Sequence, residues 1–140
     1  MQIQVKKLHP KAKLPSFAHA TDAGMDLCTT EDFTLEPGER HSVSTGIAIA
    51  LPTDCVGLIW DKSSIGQKRG LKSLGGVVDA GYTGEIFVGL VNVGSEPQAF
   101  AAGDKVAQLL IQKVEHPEIV EVVELDVTER GEGRFGSTGA

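Results

Sequence analysis

No stretch of this chain runs far before meeting a residue that interrupts regular structure: 17 glycines and 6 prolines are scattered through 140 positions. Helices short of about 12–15 residues are marginal without help from packing, so such a spacing leaves little room for them. Between the breakers lie short apolar or alternating runs, which is the pattern of strands. "IQVKKL" (3–8), "MDLCTT" (25–30), "HSVSTGIAIAL" (41–51), "CVGLIW" (55–60), "EIFVGLVNV" (85–93) and "EIVEVVEL" (118–125) read as strands. "EPGE" (36–39), "LPTD" (51–54) and "GSEP" (94–97) carry turn chemistry between them. "DKVAQLLIQKVEH" (104–116) has no breaker and suits either state: Val106, Leu109, Leu110, Lys113 and Val114 make a helical face, while Ala107, Leu109 and Ile111 make a strand face. A short helix is predicted at "SSIGQKRG" (63–70), with a serine as its cap. Many short strands with frequent turns predict an all-β sandwich or barrel.

Composition narrows the function. A chain of this length with 41% hydrophobic and 23% charged residues is expected to form one globular domain rather than a disordered segment. Its net charge of −6 argues against binding along a nucleic-acid backbone, leaving room only for a local site for a small anion. Cys28 and Cys55 stand apart with no C-x-x-C pattern and read as reduced, buried thiols, in keeping with an intracellular, cytoplasmic protein. His9, His19, His41 and His116 have no ligand spacing, so no zinc site is expected. No apolar leader and no run of 18 apolar residues occurs, so neither a signal peptide nor a membrane span is expected.

Five places can carry chemistry. In "GGVVDAGYTGEI" (75–86), Gly75 and Gly76 permit unusual backbone angles or close approach, Val77 and Val78 read as the end of a buried strand, and Asp79 then breaks the apolar run ahead of Tyr82. An acid so placed either caps a turn or works on a ligand. In "DKSSIGQKRG" (61–70), Lys62, Ser63 and Ser64 offer a charge, hydroxyls and main-chain N–H groups to an anion, against the plainer reading of a solvated loop. Asp26, between Met25 and Leu27, is expected to point away from the core, either as a surface acid or as one that holds a metal's waters. Gln108 is a neutral amide in the apolar run "AQLL" that needs partners if buried and can orient a water.

The fifth place is "RGEGRFGSTGA" (130–140). Its G-x-G-x-x-G spacing is not a dinucleotide fingerprint, because no strand–helix unit can follow. What remains is a glycine-rich arm with Arg130 to pair phosphate, Phe135 to stack on a base, Gly136 for flexibility, and the hydroxyls of Ser137 and Thr138.

Five segments in order, "DAGMDL" (22–27), "DKSSIG" (61–66), "GVVDAGYTGEI" (76–86), "GDKVAQLL" (103–110) and "RGEGRFGSTG" (130–139), resemble the motifs of the trimeric dUTP pyrophosphatases, the dUTPases. The resemblance implies a jelly-roll-like β-barrel or sandwich over residues 1–129, which decides 104–116 as strand, and a flexible arm over 130–140 that closes on the active site. It implies a homotrimer with sites shared between subunits, and Mg2+-dependent hydrolysis of dUTP to dUMP and pyrophosphate by water attack on the α-phosphate. Such an activity keeps uracil out of DNA and supplies dUMP for thymidylate synthesis. By the same resemblance Asp79 activates the water, Gln108 lies beside it, and Asp26 holds the waters of Mg2+. The main chain at 74–78, with Gly75, Gly76, Val77 and Val78, reads uracil as a hairpin, and Tyr82 packs under deoxyribose. Lys62, Ser63 and Ser64 meet the phosphates, while Arg130, Ser137 and Thr138 clamp the outer ones and Phe135 stacks on the base.

The sequence departs from that pattern at Lys62, where arginine is usual, at Arg134, where glycine is usual, and at Ser73, where some members have asparagine. Two rival readings share the fold. A dCTP deaminase requires a glutamate for proton transfer where this chain has Gly89 in "GEIFVGL". A non-catalytic nucleotide-binding scaffold would have no need of both Asp79 and the arm.

Overall fold

The computed structural model describes residues 1–128 and 131–132. Ten strands and one short helix follow one another: β1 (Gln4–Lys7), β2 (Met25–Cys28), β3 (Phe33–Leu35), β4 (Arg40–Ala50), β5 (Cys55–Trp60), α1 (Ser63–Arg69), β6 (Leu71–Leu74), β7 (Val77–Val78), β8 (Glu85–Asn92), β9 (Gln98–Phe100) and β10 (Lys105–Lys113). They form two four-stranded sheets, in the orders β1-β4-β8-β6 and β2-β10-β5-β7, and a small β3-β9 pair. All the pairings are antiparallel.

Alternation explains the sandwich. In β8, Ile86, Val88, Leu90 and Asn92 are buried while Phe87 is exposed. β4 supplies Val43, Ile47 and Ile49 to the same core, and β2 and β10 supply Leu27, Val106 and Leu109 from the other sheet. Each fully buried Val, Leu or Ile contributes roughly 1.5–3 kcal/mol by leaving water. One polar side chain belongs to this core. Asn92 Nδ2 donates to the carbonyls of Leu35 (2.9 Å) and Glu96 (2.8 Å), and Asn92 Oδ1 accepts from Gly94 N–H at 2.9 Å. With its groups bonded, its burial carries no desolvation penalty of the unpaired kind.

The jelly-roll-like sandwich agrees with the all-β expectation, and 104–116 is indeed strand over its first part. Four local expectations need correcting. Residues 118–125 form no strand: this segment lacks regular structure, and Ile119, Val120, Val122, Val123 and Leu125 are exposed. The helix begins at Ser63 with Lys62, in extended conformation, at the cap position and no side-chain cap bond. Residues 74–78 are not a hairpin, because β6 pairs with β8 in one sheet and β7 with β5 in the other. Val77, expected at the end of a buried strand, is exposed, whereas Val78 is buried. No helix among the described residues is long and apolar enough to cross a membrane.

Candidate active site

The crossing between sheets depends on Gly75 and Gly76. Their φ angles, 72° and 115°, lie where a side chain is strained. Gly76 O accepts from Ile59 N–H at 2.7 Å, and a Cβ on Gly76 would lie 2.7 Å from Ile59 O. The backbone at 75–76 therefore runs hard against β5 and leaves the sheet with its peptide groups near the surface. Directly after β7 the chain turns, with Tyr82 N–H donating to Asp79 O at 3.0 Å. The Tyr82 ring folds back over Gly84, where a Cβ would come within 2.5 Å of the hydroxyl, and that hydroxyl donates to Glu85 O at 2.8 Å. Gly76, Val77, Val78, exposed Asp79 and Tyr82 thus line one cleft of about 300 Å3, closed at the back by Ile59, Ile86 and Phe87.

A second cluster forms across the other end of the sheet. Asp26 and Gln108 are opposed residues in β2–β10, and Gln108 and Trp60 are opposed in β10–β5, so the three side chains share a face. Asp26 points away from the core face of Met25 and Leu27, as expected, but it is buried and so is not a surface acid. Lys62 Nζ hydrogen-bonds its Oδ1. Lys105 Nζ stands 2.5 Å from Oδ2 as an ion pair. Burial pushes the Asp26 carboxyl up, and the Lys105 and Lys62 ammonium groups more than reverse it, holding the acid below its ordinary value. Gln108 Nε2 donates to Asp61 O at 2.9 Å, and its Oε1 fills the space over Gly24, where a Cβ would lie 2.5 Å away.

Asp61, Lys62 and Ser63 line a different cleft, of about 370 Å3, together with Gly66, Gln67, Leu71, Lys72 and Val93. Ser64 is exposed beside them on α1. One chain therefore presents the Asp79–Tyr82 group and the Lys62–Ser63 group in two different clefts. Among the described residues no three His, Cys, Asp or Glu side chains gather to hold a metal ion. Cys28 and Cys55 are unpaired.

The model of the dUTPase family matches residues 10–139. The chain is 51% identical to the deoxyuridine 5'-triphosphate nucleotidohydrolase of Nocardia farcinica, over 98% of its own length and 85% of that relative's. It is 43% identical to the protein of that name from Clostridium kluyveri, over 99% of both. This chain belongs to the dUTPase family. Its fold superposes on that of the Staphylococcus bacteriophage 80alpha dUTPase, described with dUPNHPP, with a TM-score of 0.94, 30% identity and 99% of each chain covered. A mutant dUTPase from phage phi11 of S. aureus, described for the coordination of a structural Mg(II) ion, matches with a TM-score of 0.85 and 28% identity over 91% of this chain and 100% of that one.

Within the dUTPase frame, the motif residues Asp26, Lys62 and Gln108 come together in space, and Gly76, Val77, Val78, Asp79 and Tyr82 form a second group. Arg130, Phe135, Gly136, Ser137 and Thr138 lie outside the described residues, as does Arg134. Sequence reasoning passed over Lys105, the second cation on Asp26, and Gly24 and Gly84, which make room for Gln108 and Tyr82. It also passed over Asp61. Gly89, where deaminase chemistry would require a glutamate, has no space for one: a Cβ there would lie 2.9 Å from Leu74 O.

Proposed function

We propose that this protein is a dUTP diphosphatase that hydrolyses dUTP to dUMP and pyrophosphate. The observation that carries the reading is the cleft in which Gly76, Val77, Val78, Asp79 and Tyr82 converge, in a chain of this family. The main chain around exposed Gly75 and Val77 suits recognition of uracil by main-chain donors and acceptors, and Tyr82, held by Gly84 and Glu85, suits packing under a deoxyribose. Asp79 is the base for the attacking water. Attack at the α-phosphorus leaves the protein mainly with positioning and charge stabilisation. Gln108, oriented by Asp61 and Gly24, places an amide beside the water, and Lys62, Ser63 and Ser64 meet the phosphates.

Mg2+ fits this donor set as an ion borne by substrate phosphates and its own waters rather than in a protein cage. Asp26, a buried carboxylate held ionised by Lys62 and Lys105, is the group to hold such a water. The ion would neutralise phosphate charge. In the proposed domain scheme, residues 1–129 form the β domain and 130–140 the closing arm, with Arg130, Ser137 and Thr138 on the outer phosphates and Phe135, next to Gly136, on the base.

A homotrimer with shared sites accounts for two further features. The Asp79 and Lys62 groups occupy separate clefts of one chain, and the apolar segment 118–125 lies unpacked against its own chain, as a segment that packs on a neighbour would. The test is pyrophosphate release from dUTP by wild type and Asp79→Ala. We expect the variant to lose at least about a hundredfold in kcat, with sedimentation of the assembly unaltered; equal rates would sink the mechanism.

A further inference from the structure

We propose that Asp61 is a positioning residue that fixes the base-reading segment, the phosphate segment and Gln108 in one register. The proposal rests on the dUTPase reading above. Three bonds leave this residue in three directions. Its Oδ1 accepts Ser73 N–H at 2.7 Å, its Oδ2 pairs with Lys72 Nζ, and its main-chain oxygen accepts Gln108 Nε2 at 2.9 Å. It stands between the last residue of β5 and Lys62 at the head of α1.

The anchor at Ser73 matters because β6 is an edge strand. It pairs with β8 on one side only, with Lys72 and Leu74 opposite Val91 and Gly89. The outward N–H of Ser73 has no strand to meet, and the Asp61 carboxylate takes that place. Two residues later come Gly75 and Gly76, whose peptide groups are the proposed uracil reader and whose φ angles give them little stiffness of their own. Ser73, Gly75, Gly76 and Val77 share a cleft with Trp60, the neighbour of Asp61 and the sole tryptophan of the chain. A carboxylate is suited to this job. It is only part-exposed, and burial pushes it up while Lys72 and Ser73 bring it below its ordinary value, so the ionised acceptor is present throughout the neutral range.

Loosening this anchor should cost recognition more than chemistry. For Asp61→Ala we expect KM for dUTP to rise about tenfold, the preference for dUTP over dTTP to fall in step, and kcat to stay within about threefold. Asp61→Asn keeps an acceptor for Ser73 N–H and should restore KM to within about threefold of wild type. Ser73→Pro removes the same bond from its other end, on an edge strand that tolerates proline, and should match Asp61→Ala without worsening it when combined. Titration of Trp60 fluorescence with dUMP reads the loss of binding apart from turnover. An unchanged KM in a folded Asp61→Ala, an Asn variant as impaired as Ala, or additive effects of the Asp61 and Ser73 changes would each overturn the proposal. If Asp61→Ala does not fold, Asn and Ser73→Pro decide it. If wild type leaves dUTP intact, the reading of the reaction fails instead, and amide exchange at Ser73, expected to be protected in wild type and Asp61→Asn and fast in Asp61→Ala, still reads the positioning role; equal protection in all three would overturn it.

Discussion

An aspartate between methionine and leucine in a strand should, by simple alternation, look outward. Asp26 does not reach solvent, because Lys62 and Lys105 arrive from β5–α1 and β10 to cover it. The motif singles the residue out, but its burial was not legible: both cations are distant in sequence and no spacing rule connects them. The pairing has a pH consequence. The Asp26 carboxyl is depressed in the fold, so it contributes stability that is present above the ordinary aspartate value, about 3.9, and is lost as pH falls through the folded value. Asp26→Asn should therefore destabilise the protein by roughly 1–3 kcal/mol at neutral pH, and the gap from wild type should close in the acid range below that ordinary value. Urea denaturation followed across this range measures it; a gap that widens on acidification would contradict the pairing.

Among the elements, β4 shows where pattern reading works and where it stops. Its eleven residues were legible as a strand from alternation and β-branched content. The bulge within it was not, though its register with β8 shifts between Ser44 and Ala48. Gly46 makes the bulge, with φ of 66° and no room for a Cβ, which would fall 2.7 Å from both His9 Cβ and Thr30 Cγ2. Its N–H donates to Glu85 Oε1 at 2.9 Å, and Ser44 Oγ donates to the same oxygen. Gly46→Ala combines backbone strain with a collision against packed carbon, so a loss of roughly 2–4 kcal/mol is expected in a chemical denaturation midpoint. A neutral result would mean that the bulge relaxes at little cost. The opposite error came at 118–125, where alternating valines and glutamates predict a strand. Periodicity reports which side chains want burial, and says nothing about whether the surface that buries them belongs to the same chain.

At the scale of the whole molecule, the sandwich was legible because seventeen glycines and short apolar runs leave few other solutions. The proposed grouping of the site comes from the resemblance alone, since Asp79 and Lys62 line different clefts of one chain. That separation has a genetic corollary. In the proposed trimer, a chain spoiled at Asp79 and a chain spoiled at Lys62 are each silent alone, yet refolding the two together should produce hybrids in which an intact acid from one parent meets an intact lysine from the other. Recovered dUTP hydrolysis in such a mixture, beyond what either parent gives, is the expected result; persistent silence would place both groups in a site built by one chain. Two broken copies would then amount to one working machine.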